Sequence, residues 1–139
     1  MKMNFKDIHI GSIISTLFKE QEIDMQRAER FLNIKEAAIQ QVFASKNIDT
    51  ELLLRFSKLL EYDFFRIYSQ HLVLYAPPAS QNYKVASSKA PQFKKNVYTK
   101  EIIEFIVGLI QTKQKTASQI IEEYRIPRTT LYKWLKKYQ

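Results

Sequence analysis

Residues 125–138 read RIPRTTLYKWLKKY, and the side chains gathered there suit phosphate oxygens and the edges of nucleobases. Arg128 carries a planar guanidinium that can donate two N–H groups to the O6 and N7 of one guanine. Thr129 and Thr130 can meet a base edge, a thymine methyl or a phosphate oxygen, and Lys133 can serve either class of contact. Lys136 and Lys137 suit phosphates or plain solvation. The Tyr132 hydroxyl can reach a phosphate or sit on an ordinary surface. Upstream, Ser118 and Gln119 can offer hydroxyl, amide and backbone N–H donors to a phosphate, or act only as helix caps. Lys94, Lys95 and Lys100 can form a basic arm or keep their segment soluble.

Covalent chemistry has no comparable set of residues. The chain lacks cysteine, which removes thiol nucleophiles, disulfides and cysteine-held metals. His9 and His71 have no nearby carboxylate or cysteine pattern, so they read as satisfied or surface histidines rather than metal ligands. Glu101, Glu104, Glu122 and Glu123 fall on amphipathic helices and do not form the carboxylate cluster that holds two metal ions. Gly11 and Gly108 each stand without a second glycine nearby, so no phosphate-binding glycine loop is spelled out. The expectation is a non-enzymatic protein with no cofactor, no metal and no small-molecule substrate.

Charge is segregated. Residues 1–76 hold ten basic and ten acidic side chains, and residues 77–139 hold twelve and four, so the whole net charge of +8 (12 − 4) belongs to the second half. Such a basic half is the electrostatic footprint of a nucleic-acid partner, because neutralising phosphates releases condensed counterions; a merely solubilising surface is the alternative. The opening MKMNFKDIHIGS has no continuous apolar core of a leader peptide, and no window nears the roughly 18 apolar residues of a membrane span. A cytoplasmic protein without membrane contact is expected.

These residues need elements to position them. Two glycines and four prolines among 139 residues, 45% of them apolar, favour an all-α protein. Residues 77–97 contain three of the four prolines with a Ser/Ala/Lys bias and no apolar periodicity, which reads as a linker. It separates a unit over residues 1–76 from one over 98–139. In the first, Ile10, Ile13, Ile14 and Leu17 have helical spacing, and Asp24 caps a second helix with Ala28, Phe31 and Leu32 facing the core. Asn33 suits a positive-φ turn before a third helix from about Lys35 to Ala44, carrying Ala38, Ile39, Val42 and Phe43. Asp49 caps a fourth with Leu52, Leu53, Phe56, Leu59 and Leu60. The fifth, DFFRIYSQHLVLY, is more apolar than one buried face requires.

In the second unit Thr99 caps a helix with Ile102, Ile103, Ile106, Leu109 and Ile110. Thr116 and Gln119 form a capping box ahead of Ile120 and Ile121. A last helix begins at Pro127, and Leu131, Trp134, Leu135 and Tyr138 make its buried stripe, so Trp134 reads as core rather than as a base-stacking residue. Three helices in about 40 residues, the last two joined by a short turn, make a helix-turn-helix arrangement.

The segment TASQIIEEYRIPRTTLYKWLKKY resembles the trihelical helix-turn-helix at the start of many bacterial insertion-sequence transposases and related recombinases, with Arg125 where that family usually has a turn glycine. The segment EIDMQRAERFLNIKEAAIQQVFASKNIDTELLLRFSKLLEYD is similar to lambda-repressor/Cro-like domains over roughly residues 8–65. There Met25 replaces the family's glutamine, and Asn33 and Ser45 replace its turn glycines. That resemblance implies an exposed face of Glu36, Ala37, Gln40 and Gln41, making Gln40 and Gln41 a possible second DNA-reading surface, although Glu36 would repel phosphates. In repressor-like domains the fifth helix often pairs with its mate, which implies a homodimer through Phe65, Tyr68, Leu72 and Tyr75; packing within the monomer is the alternative.

Together the resemblances imply a bacterial, nucleoid-associated reader of double-stranded DNA, a transposase-like protein or transcriptional regulator without a catalytic domain. A protein-interaction or dimerisation module with a basic tail is the second reading. An RNA binder using Tyr98, Tyr124, Tyr132 and Tyr138 as stacking surfaces is the third.

Overall fold

The structure, a computed structural model, describes residues 3–76, 89–91 and 97–138. Most of the expected linker, with Lys94 and Lys95, lies outside the described residues. The fold is all-α: among the described residues there are eight helices and no strand. They are α1 (Ile10–Glu20), α2 (Met25–Leu32), α3 (Glu36–Ala44), α4 (Thr50–Leu60), α5 (Phe65–Tyr75), α6 (Lys100–Gln111), α7 (Ala117–Tyr124) and α8 (Arg128–Tyr138). Packing divides the chain into two compact units between Tyr68 and Ser69, inside α5. The expected limit at residue 76 follows the end of that helix, whereas the packing boundary lies earlier.

In the first unit, α1 packs on α3 and α4, and α2 on α3 and α4. Helix starts are satisfied locally. His9 Nδ1 accepts from the Ser12 N–H, Asp24 from Arg27 and Asp49 from Leu52, each supplying an acceptor to an otherwise unpartnered first-turn amide. The capping role accounts for His9. Two helix ends are closed by side chains from elsewhere in the unit: Arg55 of α4 donates to the Leu32 carbonyl at 3.1 Å, and Gln21, just past α1, donates to that of Leu60 at 2.8 Å.

Helix α1 comes close to the end of α3 at Gly11, whose N–H donates to the Ser45 carbonyl at 3.0 Å. A Cβ built there would lie 2.1 Å from the Val42 oxygen and 2.4 Å from that of Ser45. Glycine is required here for space.

Burial follows the apolar spacing at most expected positions, with Leu17, Ala38, Phe43 and Leu52 only half-buried and one position corrected outright. Ile10, Ile13, Ile14, Leu32, Ile39, Leu53, Phe56 and Leu60 are buried, whereas Phe31, expected in the core, is 49% exposed. Ala28 and Leu32, four apart, already fill the inward stripe of this two-turn helix. Asn33 has φ 55° as expected at the α2–α3 turn. Ser45 has φ −92°, so α3 ends in extended backbone that any residue adopts and no glycine is needed.

The second unit begins within α5. Gln70, 1% exposed, uses both ends of its amide: Nε2 donates to the Val97 carbonyl at 2.6 Å, and Oε1 accepts from the Thr99 N–H at 3.1 Å. Thr99 in turn caps α6 through its side chain. The back half of α5 therefore fixes where α6 starts. From there α6 packs on α8 and α8 on α7, around buried Ile102, Ile106, Ile120, Ile126, Leu131 and Trp134. No described helix is long and apolar enough to cross a membrane.

Candidate nucleic-acid interface

The turn that orients α8 is built residue by residue. Thr116 and Gln119 form the expected capping box: the Thr116 N–H donates to Gln119 Oε1 at 2.8 Å, and the Gln119 N–H donates to Thr116 Oγ1 at 3.2 Å. Arg125 then takes left-handed backbone, φ 55° and ψ 37°, at the position where the resemblance put a glycine. Ile126, 1% exposed, anchors the turn in the core. The Pro127 carbonyl accepts from the Leu131 N–H at 3.0 Å, so Pro127 caps α8 and the helix proper begins one residue later, at Arg128. Its fixed φ suits that position as well as the first helical one.

The two faces of α8 separate cleanly. Leu131, Trp134 and Leu135 are buried, and the Trp134 ring meets Tyr98 edge-on with centroids 5.0 Å apart. This indole is core. Tyr138, expected in the same stripe, is only half-buried, and its carbonyl accepts from Gln111 Nε2 at 3.3 Å. On the other face Arg128, Thr129, Tyr132, Lys133, Lys136 and Lys137 are exposed, while Thr130 is half-buried. The helix has four cations and no anion. No described carboxylate pairs with Arg128, Lys133, Lys136 or Lys137.

Two of those cations lie over rings of the same helix. The Arg128 guanidinium sits 5.5 Å from the Tyr132 centroid, and Lys137 Nζ sits 5.5 Å from that of Tyr138, both within the range of cation–π attraction. Spacing alone left Tyr132 as a hydroxyl donor or plain surface residue; the i,i+4 relation to Arg128 was the available signal. Elsewhere in the unit Lys115 is occupied. It hydrogen-bonds Glu123 and lies 5.7 Å from the Tyr124 centroid, and the Glu123 contact holds its ammonium above the usual lysine range.

Ser118 and Gln119 are exposed in the first turn of α7. Gln119 Oε1 is committed to the cap, leaving its amide N–H groups. In the first unit Gln40 and Gln41 are exposed on α3, but the Glu29 carboxylate accepts from the Glu36 N–H at 3.0 Å. A carboxylate thus occupies a first-turn amide of α3, with Glu36 beside it. Along α5, Phe65 and Tyr68 belong to the first unit and are half-buried, whereas Leu72 and Tyr75 belong to the second and are exposed. Burial pushes the Tyr68 phenol up, and burial followed by the neighbouring Tyr124 does the same to Tyr75.

Comparison with protein-family models, with curated proteins and with solved structures finds no match to this chain.

Proposed function

We propose that the chain binds double-stranded DNA sequence-specifically through α8, as a transposase-like protein or transcriptional regulator without a catalytic domain, in the bacterial cytoplasm. The observation that carries this reading is the solvent face of α8: four cations free of described carboxylates, on a helix whose other face is buried. A helix presented this way fits the major groove, where residues of its first turns reach base edges and later ones follow the backbone. On that geometry Arg128 and Thr129 read bases, Lys133 serves either class, and Lys136 and Lys137 contact phosphates. Half-buried Thr130 is a lesser contact, and Ser118 supports a phosphate at the start of α7. Selection of duplexes from a random pool by the full chain tests this. A defined motif is expected, and Arg128→Ala should relax one position of it at a cost of roughly 1–3 kcal/mol.

A protein-interaction reading is favoured by one observation, the 58% exposure of Leu72 beside exposed Tyr75. It predicts a homodimer in sedimentation that Leu72→Glu dissociates. A chain already monomeric, or a dimer unmoved by that change, argues against it.

A further inference from the structure

We infer that Arg128 and Tyr132 form a single reading unit, in which the tyrosine ring positions the guanidinium and contributes no hydroxyl contact of its own. This rests on α8 being the DNA-contacting helix. The guanidinium lies 5.5 Å from the Tyr132 centroid, one helical turn away on the same exposed face. Attraction to a ring takes up no N–H donor with an oxygen acceptor, so the guanidinium fork stays available for the bidentate contact with guanine O6 and N7.

Arg55 and Arg66 show the contrast. Arg55 spends its donors on the Glu51 carboxylate and the Leu32 carbonyl, and Arg66 lies 3.8 Å from Asp63. Both are held by oxygens that compete with a ligand. Arg128 has no described carboxylate partner, so the ring contact leaves its donors unclaimed by a described carboxylate. Its place is also unfavourable for the helix itself, because a first-turn cation opposes the positive end of the helix dipole and no acidic residue in that turn offsets it. Among the described residues, the Tyr132 ring is the contact that steadies Arg128.

The test compares full-length wild type with Arg128→Ala, Tyr132→Phe, Tyr132→Leu and the Arg128→Ala/Tyr132→Leu pair, by duplex selection and by affinity for the selected site. Helical circular dichroism confirms that each folds, as the 47% exposure of Tyr132 leads one to expect. Tyr132→Phe should keep both motif and affinity. Tyr132→Leu should relax the same motif position as Arg128→Ala and weaken the selected site by roughly 2- to 5-fold, the range of an exposed cation–π contact. The double variant should lose no more than Arg128→Ala alone. In the DNA-free protein, Arg128 side-chain resonances should be shifted upfield by the ring current, and Tyr132→Leu should abolish that shift.

Loss in Tyr132→Phe equal to that in Tyr132→Leu would assign a hydroxyl contact and overturn the inference. An unchanged motif in Tyr132→Leu would overturn it too. Selection of no duplex by the wild type, with the upfield shift present, would defeat the reading of α8 as the DNA-contacting helix and the inference with it. A clear wild-type motif without the shift would defeat the inference alone.

Discussion

Arg125 holds left-handed backbone at φ 55°, where a side chain costs about 1 kcal/mol relative to glycine. Arg125→Gly should therefore raise unfolding free energy by about that amount, measured by denaturant titration. The opposite sign holds at Gly11, where any Cβ meets the Val42 and Ser45 carbonyl oxygens. Gly11→Ala should destabilise by about 3 kcal/mol, since the obstruction is backbone and cannot rotate away.

Acid sensitivity also has a residue-level source. Lys46, 2.7 Å from Asp7, holds that carboxyl below its ordinary range by hydrogen bond and charge. The unfolded chain thus takes up this proton more readily than the folded one, so the contribution is complete above the unfolded pKa and disappears as pH falls through the folded one. Asp7→Asn should flatten the acid limb of stability against pH. The positive φ at Asn33 was readable because a short turn there separates two amphipathic runs, whereas at Arg125 it was only what the resemblance to a turn-glycine position implied. That Ser45 would need none was not readable, because extended and left-handed exits from α3 suit the same short polar residue.

At the level of elements, α5 joins the two units, and Gln70 is the buried group that connects it to α6. Gln70→Leu keeps the volume but strands the Val97 carbonyl and the Thr99 N–H, each costing about 1–3 kcal/mol when buried without a partner. The expected result is a loss of roughly 2 kcal/mol or more, with faster amide exchange at the start of α6 than in α1; uniform change across both units would point elsewhere. Helix number, most caps and the inward stripes of α1, α4 and α8 were legible from apolar spacing and from Thr, Asp and Gln at helix starts. The role of Gln70 was not, since its partners lie 27 and 29 residues away and no local pattern marks such a pair. Phe31 misled for a related reason: periodicity gives a helix an apolar sector, but how much of it neighbours cover is decided by packing.

On the scale of the whole molecule, charge partition and helix exposure support the same reading. The net charge of +8 is carried by residues 77–139, and α8 exposes four cations without described counter-ions. The first unit is balanced, and a carboxylate occupies a first-turn amide of its α3, so duplex affinity is expected to reside in the second. The basic face was legible as soon as Leu131, Trp134 and Leu135 were placed inward; which cations are already spent, such as Lys115 on Glu123, emerges only in three dimensions.

The most direct test is the affinity of the full chain for a duplex as a function of salt. Log K should fall linearly with log salt at about −0.9 per phosphate neutralised, for a slope steeper than about −2. Lys136→Ala and Lys137→Ala should each reduce that slope by about 1 and weaken all duplexes alike. No duplex affinity at low salt, or a slope unmoved by both substitutions, would contradict the assignment of α8 as the DNA-contacting helix.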